Sequence, residues 1–380
     1  MTPARFAFAF LATLAVAMGV GRFAFTPLLP IMQADAGLSL TGGSWLAFAN
    51  YLGYLVGALS AVWLHAPAHR MVRAGLVATG VLTLAMGLVN AFALWWLLRF
   101  LGGVASAWAL VFGSAWLLAR LAAAGGDRWS GVAFSGVGVG VVGSGAICAA
   151  LAAASFNSQQ IWIALGLASL AAAAIVWPAY EGVRVAAQNP ETVAADRTAH
   201  WDFRTWVLIV AYGSFGFGYI IPGTFLPVMA RDALGAGFAS TLYWPLFGVA
   251  AAASTVLCSR LGPGRERPAF IGSFFAQAAG VVAPAIAPGA ASIVLANLLV
   301  GATAMSITML GMKQARLRAR SGNAAPLMGA MTASFGIGQL SGPVFAGYAV
   351  EWAGSFTPAL WCAALLLAIA GIALAMQRDQ

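Results

Sequence analysis

The stretch Met18–Met32, MGVGRFAFTPLLPIM, sets two glycines, an arginine and two prolines inside an apolar run that begins at Phe6. At 1.5 Å per helical residue Arg22 lies about 24 Å from Phe6, slightly outside the midplane of a bilayer-spanning helix. An arginine near that depth costs roughly 2.5–3.5 kcal/mol on insertion scales, so something in the molecule must use its charge.

The rest of the chain places this stretch in a membrane. Hydrophobic residues make up 62% of the 380 and charged residues only 8%, with a mean hydropathy of +0.89; soluble domains carry about a quarter charged residues. The apolar runs are long and continuous, without the alternating segments of about ten residues of an outer-membrane barrel, so an all-α integral membrane protein is expected. At about 20 residues per span the chain has room for roughly 10 to 13 spans. The net charge of +9 would suggest nucleic acid in a soluble protein. Here the basic residues fall in short loops that set orientation, and no nucleic-acid partner is expected. Cys148, Cys258 and Cys362 each stand alone in an apolar span, which implies neither metal nor disulfide, and no cofactor is expected. The first nineteen residues resemble a signal peptide, but the apolar run continues past a normal h-region, so this segment is read as the first helix.

Helices are expected over 6–33, 43–64, 74–91, 94–119, 131–154, 160–179, 205–230, 239–259, 268–287, 290–312, 325–350 and 357–376, which is twelve. The basic residues sort cleanly on this count. One face receives Arg231 alone; the other receives Arg5, Arg70, Arg73, Arg120, Arg128, Arg184, Arg197, Arg204, Arg260, Arg265, Arg267, Lys313, Arg316, Arg318, Arg320 and Arg378. Both termini are therefore expected in the cytoplasm, and Arg22 and Arg99 are the charges left inside spans. The polar stretch 180–204 at the midpoint reads as a cytoplasmic linker between a six-helix half at 1–179 and another at 205–380.

The halves repeat. Adding 197 carries Gly19, Gly21, Leu29, Pro30, Met32 and Asp35 onto Gly216, Gly218, Leu226, Pro227, Met229 and Asp232. Adding 198 carries Gly103 onto Gly301, and Gly138 and Gly140 onto Gly336 and Gly338. Six spans separate equivalent helices, so the repeats share orientation and two bundles related by a pseudo-twofold axis are expected, a relation typical of major facilitator transporters.

At this point the chain resembles a twelve-helix transporter of the major facilitator superfamily. More narrowly, GVGRFAFTPLLPIM at 19–32 followed by WLAFANYLGYLVGAL at 45–59 resembles the YbfB/YjiJ family of bacterial transporters. RFLGG at 99–103 is similar to the helix 4 arginine-glycine motif, and GQLSGP at 338–343 is similar to the GxxxGP antiporter pattern, although in helix 11. The loop after helix 2 departs from the superfamily: Arg70 and Arg73 remain, but the usual aspartate is missing, which puts a charge lock between the halves in doubt. The resemblance implies a bacterial inner membrane and alternating access; it supplies no substrate.

Arg22 and Arg99 lie in the outer half of helices that line the central cavity in the fold the chain resembles. The functional reading is an electropositive cavity that pairs with an anionic substrate, a carboxylate above all. For Arg99 a second reading stays open, in which it snorkels to the interface or caps carbonyls. Asn50, Tyr54, Trp108, Tyr219, Asn297 and Gln339 sit at similar depth and complete the expected substrate site; helix–helix hydrogen bonding is an equal alternative for each. Tyr219 and Asn297 are the repeat equivalents of Arg22 and Arg99. Pro27, Pro30, Pro222 and Pro227 are expected to bend helices 1 and 7 at gating points. Gly19, Gly21, Gly338, Gly342 and Pro343 are expected to let helices rock closely against each other, in preference to a phosphate-loop reading. Asp35 and Asp232 fall at outer helix ends, solvated, paired locally or in contact with a gate. No Asp, Glu or His is placed within a span, so proton coupling would run through the substrate or water near the arginines.

The expectation is thus a monomeric multi-pass secondary active or facilitative transporter, with the lipid bilayer, an anionic small molecule and, as candidate coupling ion, the proton as partners. Its substrate would be a small organic anion or a carboxylate-bearing amphipathic molecule, moved as symport, antiport or facilitated diffusion. The alternative is a multidrug or hydrophobic-compound efflux antiporter, favoured by the aromatic content. A multi-pass membrane enzyme or sensor is a distant third, since clustered acid-base groups and a soluble output domain are missing from the sequence; no enzymatic activity is expected.

Overall fold

The computed structural model describes residues 2–180, 202–234, 243–262, 264–319 and 323–377, with the backbone alone for 40, 224–234, 243 and 244. Among them the regular structure is helical. In chain order the helices are α1 (Pro3–Asp35), α2 (Leu40–Trp63), α3 (Ala68–Met86), α4 (Phe92–Ala123), α5 (Asp127–Ala153) and α6 (Ser158–Tyr180). They continue with α7 (Phe203–Leu234), α8 (Tyr243–Cys258), α9 (Glu266–Ile286), α10 (Ala290–Arg318), α11 (Ala325–Ala353) and α12 (Thr357–Ala375). Nine stretches of the described residues are long and apolar enough to cross a membrane. Large apolar side chains face outward where a soluble protein would bury them. On α12, Leu365, Ile369 and Ile372 form an exposed stripe while Leu360, Leu367 and Leu374 are buried, which is the pattern of a helix with lipid on one side.

Three boundaries differ from the sequence expectation, one of them at the end of α10, which runs to Arg318 instead of 312 and carries Lys313 inside it, paired with Glu266 of α9 at 2.7 Å. α3 begins at Ala68 instead of 74, so that Arg73 stands on the helix, where at the surface its Nη2 donates to the Trp177 carbonyl at 2.9 Å and its guanidinium stacks on the Trp177 ring at 4.4 Å. Phe203 and Arg204, expected in the linker, belong to α7, which starts where Asp202 accepts from the Thr205 backbone N–H and hydroxyl, a capping geometry. Residues 181–201 of the expected linker, and 235–242 at the start of expected helix 8, lie outside the described residues.

The helices pack in a recurring order. α1 packs on α5, α2 on α4, α3 on α4 and α6; α7 packs on α11, α8 on α10, α9 on α10 and α12. The two sets meet along α2 with α11 and along α5 with α8. Close approach depends on the glycines that the repeat aligns. A Cβ on Gly140 would sit 2.5 Å from the Ala15 carbonyl oxygen and 2.8 Å from Gly19 Cα, and one on Gly338 would sit 2.3 Å from the Gly213 carbonyl oxygen and 3.0 Å from the Gly216 carbonyl carbon. The same helix-to-helix contact is thus made at equivalent positions of each repeat. Gly140→Ala is expected to destabilise the protein by about 1–3 kcal/mol, because the obstacle is backbone that moves only with all of α1; a lower Tm of the detergent-purified protein checks this.

Contacts between the two sets gather at the end that carries the arginine-rich loops. Gly336 of α11 faces Leu55 of α2, and Gly329 faces Ala58 and Val62; Gly131 and Gly138 of α5 face Gly248, Ala252 and Thr255 of α8 and Ser259 just after it. At the opposite end Asp35 closes α1 onto α6: its carboxylate accepts from the Ser158 backbone N–H and, at 2.7 Å, from the Ser158 hydroxyl. A carboxylate there is favoured by the helix N-terminus. The side chain of Asp232 lies outside the described residues.

Candidate functional site

The opening stretch does not fold as one regular helix. α1 is α-helical over Pro3–Leu14, π-helical over Ala15–Phe23 and α-helical again over Phe25–Asp35. π-helical turns are rare and often mark functional sites. Two features of the chemistry hold this one. Pro27 has no N–H, so it can donate neither to the Phe23 carbonyl, four residues before it, nor to the Arg22 carbonyl, five before it, and the wide turns end ahead of it. Side chains from three neighbouring helices then reach the carbonyls: Ser144 of α5 donates to Gly19 O at 3.3 Å, Asn50 of α2 to Gly21 O at 3.4 Å, and Arg99 of α4 to Gly21 O at 3.1 Å and Arg22 O at 3.3 Å. Asn50 also donates to the Arg99 carbonyl at 3.0 Å, tying α2, α4 and α1 together. The Arg99 guanidinium stacks on Phe25 at 4.8 Å. The irregularity of α1 therefore ends just before Pro27 and Pro30, whereas α7 runs as one helix through Pro222, and the Pro227 side chain lies outside the described residues.

The π segment aims Arg22 across the molecule. Arg22 is 4% exposed. Its Nη2 donates to the Gln339 side-chain oxygen of α11 at 2.7 Å, joining the two sets of helices. Its guanidinium lies 3.9 Å from the Tyr54 ring centroid, 5.6 Å from Tyr51 and 5.7 Å from Phe23. Its Nε is buried without a partner. Neither Arg22 nor Arg99 forms an ion pair with a described residue. Beside this cation lies an aromatic cluster in which Phe335 stacks near Tyr219 at 6.1 Å, with Phe215 at 4.9 Å from Phe335 and Phe247 at 6.1 Å from Tyr219. Tyr54 joins it through Phe335 at 6.4 Å.

Of the residues singled out from the sequence, Arg22, Tyr54 and Gln339 converge directly, and Tyr219 belongs to the adjoining aromatic cluster. Asn50 and Arg99 stand behind them as supports of the α1 backbone. Trp108 is directed elsewhere: its indole N–H donates to the Ser60 hydroxyl at 2.8 Å, near the end of α2 that bears the basic loop. Asn297 is buried in α10, one turn before Gly301, which faces Phe247. Gly342 is buried against Ile220 of α7, and Pro343 lies inside α11 without ending it. Tyr51, Phe335 and Ser144 were not singled out. Tyr51 could have been, since it precedes Tyr54 by three residues and shares its helix face; Phe335 and Ser144 carry no local signal.

Residues 14–375 match the family model described as "uncharacterised MFS-type transporter YbfB". No curated protein matches the sequence. Among solved structures, the fold is similar to the human organic anion transporter MFSD10 (TETRAN), with a TM-score of 0.69 and 14% identity over 98% of each chain. It is also similar to the major facilitator transporter FucP in its outward conformation, with a TM-score of 0.71 and 14% identity over 98% of this chain and 99% of that one. At that identity the likeness carries the fold alone.

Proposed function

Because the chain belongs to the family of YbfB-type MFS transporters, we propose that it moves a small organic anion, or an amphipathic molecule carrying a carboxylate, by alternating access. One observation carries the substrate class. Nε and Nη2 form the edge of Arg22 that grips a carboxylate with two parallel bonds. Gln339 fills only the Nη2 position, and Nε is bare and buried. A carboxylate would take both, displace Gln339 and neutralise a cation that has no acidic partner among the described residues.

The mechanism follows from the same bond. Twelve spans form two six-helix halves, a reading supported by the packing order, which returns when every helix number is advanced by six. The halves touch at the end with the basic loops, which the positive-inside rule puts in the cytoplasm of a bacterial inner membrane. The conformation is then closed to the cytoplasm, with Arg22 and Gln339 joining the halves. Substrate arriving from outside would trade the Arg22–Gln339 bond for its own and release the halves to rock.

Gln339→Glu tests this trade, since a fixed carboxylate on α11 would hold Arg22 permanently. Uptake into proteoliposomes is expected to fall about tenfold or more while Tm rises, because an ion pair replaces a bond between a cation and a neutral amide and neutralises the buried charge. The substrate class is tested by a thermal-shift screen of purified protein against organic anions, cations and neutral compounds; stabilisation by cations alone would overturn it. The second reading, efflux of hydrophobic compounds, draws on the aromatic cluster of Phe215, Tyr219, Phe247 and Phe335, and a resistance profile in an efflux-deficient host separates it from the first.

A further inference from the structure

Arg22 stands at the floor of a recess that opens away from the basic loops, and three helices show it. On α2 the positions 47, 51, 54 and 58 share one face. Along that face Ala47 and Tyr51 are half-buried, while Tyr54 and Ala58, nearer the basic loops, are buried. On α11 Pro343 is half-buried, and Gln339 and Phe335, one and two turns closer to those loops, are buried. On α1 Arg22 is buried, Phe23 is half-buried, and Thr26, one turn further out, is exposed. The lipid face of α2 is a different one, marked by the exposed Trp45, Val56, Leu59 and Trp63.

We infer that Tyr51 is a further substrate-binding residue of this site, its phenol hydroxyl donating to the carboxylate that Arg22 grips. The inference rests on the carboxylate reading of Arg22. Tyr51 lies on the open side of the cation: its ring is 5.6 Å from the Arg22 guanidinium, whereas Tyr54, at 3.9 Å, is fully buried one turn deeper. The Tyr51 hydroxyl makes no hydrogen bond to a described residue and is not cut off from the recess. Tyr180 shows the other arrangement, its buried hydroxyl meeting that of Thr13 at 2.6 Å. A phenol in a span with no partner from the protein must find one in the recess, since phenylalanine would pack the same ring without desolvating an oxygen.

The chemistry of a carboxylate matches this placement. An ionised carboxylate only accepts, with two lone-pair sites on each oxygen. Parallel bonds from Arg22 Nε and Nη2 use one site on each oxygen and leave the others for a donor arriving from the side. Tyr51 is placed to be that donor. Its neighbour Asn50 is turned away, to the Gly21 and Arg99 carbonyls. The rings of Tyr51 and Phe23, which lies 5.7 Å from the same guanidinium, also flank the approach to Arg22. An amphipathic acid would therefore enter carboxylate first and leave its apolar part between aromatic walls.

Tyr51→Phe tests the contact, because it removes one oxygen and keeps the ring beside Arg22. The full-length purified parent and variant are titrated with the sodium salts of acetate, lactate, succinate and benzoate at constant ionic strength, and the carboxylate concentration at half of the Tm rise is read. At least one of the four is expected to stabilise the parent saturably. Its half-saturation concentration is expected to rise about tenfold in Tyr51→Phe, the effect of losing one hydrogen bond to a charged group. Without carboxylate the variant's Tm is expected to stay within about 1 °C of the parent, since the hydroxyl holds no other residue. In proteoliposomes the KM for that carboxylate should rise by the same factor at an unchanged maximal rate. Equal half-saturation in the two proteins would overturn the Tyr51 contact and leave the Arg22 reading standing. A ligand-free Tm several degrees lower in Tyr51→Phe would overturn it too, by showing that the hydroxyl supports the fold. Four carboxylates that leave the parent's Tm unmoved would overturn both.

Discussion

Arg22→Gln is expected to lower the kcat/KM of uptake about 100-fold while the protein still inserts and purifies normally. The magnitude follows from the chemistry of the Nε–Nη2 edge. A charge-assisted pair of bonds to a carboxylate in a desolvated site is worth about 3 kcal/mol, and each 1.36 kcal/mol is tenfold. Glutamine keeps a donor but ends at the level of Nε, two bonds short of the Nη2 that meets Gln339. It also removes a charge from the membrane interior, which makes insertion easier. Arg22→Lys retains the charge but offers a point donor in place of a planar fork, and loses its stacking on Tyr54. Its kcat/KM is expected to fall about tenfold. The readout is initial uptake rate against substrate concentration in proteoliposomes of equal protein content. Unchanged kinetics in Arg22→Gln would remove the proposed substrate contact.

Arg22 was legible in the sequence because it breaks an apolar run, and its neighbours were legible only in part. Gly19, Gly140, Gly216 and Gly338 could be aligned by the repeat, and each of those pairs approaches at backbone distance, since a residue without a side chain in a span leaves little to do but pack. Gln339 stood out as a polar group in α11, but no local pattern pairs it with a residue 317 positions away. The π segment was hidden for the same reason. Pro27 announces a missing N–H, yet whether the helix kinks, unwinds or widens depends on who supplies the donors. Those come from Asn50, Arg99 and Ser144 on three other helices. Trp108 illustrates the converse. Its depth resembled that of the site, but the hydroxyl of Ser60 captures its indole N–H, and a sequence gives depth more readily than direction.

Arg99→Leu carries the other large expected effect, and it separates a backbone clamp from a substrate contact. Removing the guanidinium leaves the Gly21 and Arg22 carbonyls with fewer donors in a medium without water, at about 1–3 kcal/mol for each group left unsatisfied. Asn50 remains to serve Gly21 O, whereas Arg22 O keeps no side-chain donor. The π segment then has less to hold it open, and the direction of the Arg22 side chain is lost with it. Transport and thermal stability should therefore fall together, with Tm lower by several degrees. Arg22→Gln, by contrast, should lose transport at nearly unchanged Tm. Arg99→Lys sharpens the comparison, because an ammonium keeps the charge and donors but is a point on a flexible stem without the planar fork that meets both carbonyls at once. It should recover part of the Tm and a matching part of the uptake, with KM for the substrate close to that of the parent. Were Arg99 a direct substrate ligand, Arg99→Lys would raise KM at parental stability, and that result would reassign it from the support of α1 to the site itself.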